Sequence, residues 1–108
     1  MEQLVYAVVL VTVSSMDEAE KITGILLENR KAACVNILPR LQSHYWWHDK
    51  IENAGELLLI VKTRISLVPE VIKMVKATHS YTVPEIIAVP IIEGNKDYLE
   101  WIGGETRE

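Results

Sequence analysis

The sequence predicts an α+β fold in which strands and helices follow the order β-α-β-β-α-β, with a short helix added at the C-terminal end. Three observations carry it. Apolar, β-branched runs occupy residues 4–13, 32–38, 56–63 and 85–92; two intervening segments carry apolar residues at helical spacing; and Ser, Pro and Gly stand at the joins.

Residues 4–13 form the first predicted strand, ending at Ser14-Ser15, where Ser15 and Glu18 have the spacing of a capping box. Ala19, Ile22, Leu26 and Leu27 then recur on one side up to about Arg30, with Glu20, Lys21 and Glu28 opposite, as in an amphipathic helix lying on a sheet. A second strand over 32–38 is expected to stop at Pro39, and an extended aromatic run resumes over 42–47. His48-Asp49-Lys50 and Asn53-Ala54-Gly55 read as turns before the strand at 56–63. Ser66 is the expected N-cap of the second helix, with Pro69 tolerated in its first turn and Val68, Val71, Ile72 and Val75 on one face. The segment 79–83 leads through Pro84 into the strand at 85–92. Asn95 caps the last helix, which carries Tyr98, Trp101 and Ile102 and is expected to fray at Gly103-Gly104.

This order is the split βαβ, ferredoxin-like pattern, with an antiparallel sheet and its helices on one face. The strands are apolar at both parities, Val5, Ala7, Val9 and Val11 as well as Leu4, Tyr6, Val8 and Leu10. A monomer would leave the second face wet, and polar residues should then alternate. Four strands expose roughly 330 Å² of projected face, the size of the largest patch a monomer usually shows. Covering it is worth on the order of 8 kcal/mol before the cost of association, so the pattern predicts self-assembly through the sheet.

With 108 residues, no repeat and no linker-like composition, the whole chain, 1–108, is read as one domain. Eleven basic against fifteen acidic residues leave a net charge of −4, which offers no basic footprint for nucleic acid. The apolar runs are far shorter than the roughly 20 residues of a membrane helix. Met1-Glu2-Gln3-Leu4 lacks the marks of a leader and Cys34 is a single cysteine, so a reducing cytoplasm is expected. Neither a nucleophile triad, a phosphate-binding glycine loop nor a zinc His-Glu-x-x-His motif appears, and the chain is not expected to be an enzyme.

Ala32-Ala33-Cys34-Val35-Asn36, Ser43-x-Tyr45-x-Trp47, Glu56 with Lys62-Thr63, His79-x-Tyr81-x-x-Pro84-Glu85 and Tyr98-x-x-Trp101 resemble, in order and spacing over nearly the whole chain, the CutA (divalent-cation tolerance) family. The resemblance implies a homotrimer of ferredoxin-like subunits, related in architecture to the PII signalling proteins, with the sheets facing one another. It implies a role in tolerance of divalent cations, copper above all; the alternative is a trimeric assembly, anchoring or PII-like signalling scaffold without physiological metal binding. Copper-binding members are expected to use a thiol in the first strand and a His-His pair. Those positions here are Val11, Thr78 and His79, and Ser80 replaces a usual proline.

His79 is therefore the first candidate ligand for copper or another divalent cation, and Cys34 the second, although a lone cysteine in an apolar strand more often behaves as a small hydrophobe. His44 and His48 lie ~13 Å apart if extended and cannot share one metal on one chain. Tyr45, Trp47, Glu56, Lys62, Tyr81, Glu85 and Trp101 are the candidates for a cleft between subunits; packing anchors and an ion-pair network are the plainer readings of the same residues.

Overall fold

The computed structural model describes residues 3–108; Met1 and Glu2, part of the stretch read for a leader, lie outside the described residues. The elements are β1 (Tyr6–Val13), α1 (Met16–Glu28), β2 (Cys34–Trp47), β3 (Lys50–Arg64), a 3-10 turn (Ile65–Leu67), α2 (Val68–Thr78), β4 (Ile86–Pro90) and α3 (Lys96–Glu105). The sheet order is β2-β3-β1-β4 and every neighbouring pair is antiparallel, so the α+β, ferredoxin-like expectation holds.

Register explains the two apolar parities. Val9, Val11 and Val13 on β1 pair with Val61, Leu59 and Leu57 on β3, and together with Ala19, Ile22 and Leu26 of α1 and Val71 and Val75 of α2 they form the core. The other parity, with Leu10 against Ile60 and Ile87 and Leu38 against Leu58, faces away from that core. Leu38, Ile87 and Val89 are about half exposed there.

Several local expectations are corrected. β2 does not stop at Pro39. It continues through a bulge between Leu38 and Leu41, with Arg40 at φ 65° absorbing the extra residue. Proline is tolerated because β2 pairs only with β3 and is an edge strand. Asn53-Ala54-Gly55 is not a turn: these residues pair with His44, Ser43 and Gln42, and the reversal is made by His48 and Asp49, at φ 48° and 62°. Two residues in the left-handed region form the tight connection whose twist matches a hairpin. The hairpin is therefore far longer than the sequence implied.

Ser66 does not cap α2. Leu67 occupies the N-cap without a side-chain bond, and Ser66 donates to Glu108 instead. β4 is shorter than residues 85–92. α3 runs through Gly103-Gly104 rather than fraying there, because the residues after it are tied down: the Arg107 N–H donates to the Arg30 carbonyl, and Arg64 donates to both Thr106 oxygens.

The second sheet face also has a partial cover within its own chain. Gly103 of α3 lies against the Tyr6 hydroxyl, where an added Cβ would sit 3.0 Å from the oxygen. Ile102 is fully buried. α3 thus caps the end of that face near Tyr6 and Arg64, while the stretch around Leu10, Leu38, Leu58, Ile87 and Val89 stays open.

Candidate functional site

At the end of the second face away from α3, a cleft of about 620 Å³ opens, bordered by Thr12, Tyr45, Trp47, Glu56, Tyr81 and Glu85. Each element delivers its residue by register. Thr12 ends the outward parity of β1, Glu56 lies two residues before Leu58 on the same face of β3, and Glu85 directly precedes Ile86 of β4, which pairs with Val11. The hairpin brings Tyr45, opposite Glu52, and Trp47, opposite Lys50.

The segment between α2 and β4 is fixed by His79, which is 9% exposed. Its Nε2 lies 2.7 Å from the Thr12 carbonyl oxygen and its Nδ1 accepts the Tyr81 N–H at 3.0 Å. A carbonyl can only accept, so Nε2 carries the proton and Nδ1 is the unprotonated nitrogen. The neighbouring Ser80 N–H donates to Glu18 Oε1 at 2.7 Å. Burial pushes the Glu18 carboxyl up, but the bonds from Ser80 outweigh it and leave it below its ordinary value.

So placed, Tyr81 donates its hydroxyl to Glu56 Oε2 at 2.7 Å. Burial first, and then the Glu56 carboxylate, push the phenol up to about 12, which keeps it a donor at neutral pH. Glu56 is 7% exposed. No lysine or arginine among the described residues borders the cleft or ion-pairs with Glu56.

Of the seven cleft candidates, five, Tyr45, Trp47, Glu56, Tyr81 and Glu85, thus meet at one place. Lys62 and Trp101 do not. Six residues along β3 separate Lys62 from Glu56, roughly 20 Å, and Lys62 pairs with Cys34 and Val8 at the α3 end of the face. There its ammonium donates to Asn36 Oδ1 and lies 3.9 Å from Cys34 Sγ. Trp101 stacks on Tyr98, ring centroids 5.5 Å apart. The Tyr98 phenol is raised by burial first and then by Cys34. Thr12 was missed by sequence reasoning, and Ser80 was noted only for standing in place of a proline, not for its bond to Glu18. Thr12 did leave a signal, as the polar residue closing the otherwise apolar series Tyr6, Val8, Leu10.

The donor set of a copper site does not fit one chain. Val11 is fully buried on the helix side, the Thr78 hydroxyl donates to the Met74 carbonyl, and His79 has no lone pair left free. Among the described residues no group of three His, Cys, Asp or Glu side chains could hold a metal ion. His48 lies in the hairpin turn with its ring against Trp47.

A family model described as the CutA1 divalent ion tolerance protein matches residues 7–105. The chain is 50% identical over 99 residues to the divalent-cation tolerance protein CutA of Thermus thermophilus, covering 92% of this chain and 96% of that one. It is 48% identical over 101 residues to the chloroplastic protein CutA 1 of rice, covering 94% of this chain but 57% of the rice protein's length. The crystal structure of CutA1 from Oryza sativa superposes with a TM-score of 0.94 at 46% identity, covering 97% of this chain and 96% of that one. A CutA structure from Archaeoglobus fulgidus, named a periplasmic divalent cation tolerance protein, superposes at 0.90 with 48% identity, covering 93% of this chain and 97% of that one. No helix among the described residues is long and apolar enough to cross a membrane. On the matched span, the relatives and the shared fold, the chain belongs to the CutA1 divalent ion tolerance protein family.

Proposed function

We propose that the protein acts in divalent-cation tolerance as a homotrimeric binding protein of the cytoplasm, without catalysis of its own. One observation carries the assembly: Leu10, Leu38, Leu58, Ile87 and Val89 form an apolar band on the sheet, between the α3 cap and the cleft, that nothing in the described chain covers. Three such faces turned toward one axis would bury it and place each cleft near a neighbouring copy. Since one chain lacks the donors for copper or another divalent cation, any such ion would need ligands from more than one subunit.

Light scattering tests the assembly. A trimer at micromolar concentration is expected, and Leu58→Lys, which sets a charge in the middle of the band, should yield a monomer. A monomeric parent protein, or a Leu58→Lys protein still trimeric, would refute it.

A further inference from the structure

We infer that His79 and Glu18 form a proton-operated latch on the segment between α2 and β4, closed when the imidazole is neutral and open when it is charged. The closed state follows from the two ring nitrogens. Nε2 donates to the Thr12 carbonyl at 2.7 Å and Nδ1 accepts the Tyr81 N–H at 3.0 Å, so this arrangement needs a neutral ring of one tautomer. A proton added at Nδ1 leaves the Thr12 bond in place, because Nε2 is a donor in both forms. It sets two donors face to face at Tyr81, and that bond must break. Imidazole is the side chain whose charge changes between about pH 5 and 8, so the exchange falls in an ordinary range of pH.

The open state has its own partner ready. Glu18 lies in the first turn of α1, and its Oε1 accepts the Ser80 N–H at 2.7 Å. The other oxygen, Oε2, is shut off from water and has no hydrogen-bond partner among the described residues. A buried acceptor without a donor is costly, and a charged imidazole beside it supplies the donor it lacks. A positive charge on His79 is near enough to favour the ionised Glu18 carboxyl, so each charge stabilises the other. The proton thus exchanges one bond for another, Nδ1 with the Tyr81 N–H for Nδ1–H with Glu18 Oε2, while Ser80 stays on Oε1. The other groups around the ring do not compete. The Tyr81 ring, centroid 4.7 Å away, stays neutral, β1 presents the already bonded Thr12 carbonyl, and Glu56 of β3 is held by the Tyr81 hydroxyl. Asp17 of α1 and Lys76 in the last turn of α2 are exposed to water. Every contact in the latch joins parts of one chain, so the inference stands apart from the trimer reading. Opening frees the Tyr81 backbone, and the place of its ring in the cleft then rests on the hydroxyl bond to Glu56.

Nitrogen-15 NMR and amide hydrogen exchange of the intact protein, from about pH 8 down to about pH 4.5, test it. At the upper end the His79 ring should show the Nε2–H tautomer. As the ring takes up its proton, protection of the Tyr81 amide should fall by about tenfold per pH unit, the slope of a single proton, while the Ser80 amide and the core amide of Val61 keep theirs. General acid unfolding would release all three together. His79→Gln, which can donate and accept but takes up no proton, should remove the pH dependence. Glu18→Gln takes away the counter-charge and should move the fall to lower pH by about one unit, and it keeps the test in force if His79→Gln folds poorly. Four results would overturn the inference: a His79 ring neutral to the lowest pH, Tyr81 protection unchanged while the ring titrates, Tyr81 and Ser80 amides released together, or a Glu18→Gln curve that superposes on the parent's.

Discussion

Replacing His79 by Ala separates a folding role from a ligand role. The imidazole joins the Thr12 carbonyl of β1 to the Tyr81 N–H, and it is buried. Deleting it leaves a buried carbonyl without that donor, at about 1–3 kcal/mol, and a half-buried N–H that water can partly satisfy, at about 0.5–1.5 kcal/mol. The loss should total about 2–4 kcal/mol, or a fall in Tm of roughly 10 °C or more for a domain of this size. His79→Gln can still donate and accept, and should recover part of it. Calorimetric melting at fixed protein concentration measures the first effect, and a copper competition titration against a calibrated chelator measures the second. Melting within about 2 °C of the parent, or an intact fold that has lost copper affinity, would refute the reasoning.

Two further predictions concern local charge and backbone. The Glu18 carboxyl lies below its ordinary value of 4.5 in the folded chain, so its contribution is fully present above that value and is lost as pH falls through the lower folded one. The stability difference between the parent and Glu18→Gln, from urea midpoints, should therefore shrink between about pH 5 and pH 3; a constant difference would count against the Ser80 contact. Asp49 sits at φ 62° in the hairpin turn, where glycine carries no Cβ penalty, so Asp49→Gly should stabilise the fold by about 0.5–1 kcal/mol, read as a higher Tm. A lower Tm would refute that account.

The fold was legible wherever a pattern repeats. Unbroken apolar, β-branched runs along β1 and β3, the two inner strands, and the 3.6-residue rhythm of α1, one face of which is buried, identify their elements. Single signals misled. Pro39 and Asn53-Ala54-Gly55 have breaker composition, yet the edge position of β2 and its twelve paired positions with β3, on either side of the bulge, are tertiary facts that no local residue states.

 The long ladder holds both segments extended against their composition. The cleft was legible residue by residue, since Tyr45, Trp47, Glu56, Tyr81 and Glu85 all stood out in the sequence. Which of the seven candidates meet depends on strand register, and that separates Lys62 and Trp101 from the rest.

The hydrogen bonds around His79 also constrain how a ligand can reach Glu56. A chain of contacts runs from the Thr12 carbonyl through the imidazole to the Tyr81 N–H, and from the Tyr81 hydroxyl to Glu56 Oε2. It ties β1 to β3 across the floor of the cleft. A cation that displaced Tyr81 from Oε2 would leave a half-buried phenol without its acceptor, at a cost of about 1–3 kcal/mol that its own bond to the carboxylate would first have to offset. A cation that bonds Oε1 meets no such cost, because a carboxylate has lone pairs on both oxygens and Tyr81 occupies a site on one. Tyr81 therefore orients the carboxylate rather than competing for it, and the fixed position of Tyr81 comes from His79. The residue that the family resemblance suggests as a metal ligand serves this chain by holding the donor that aims Glu56.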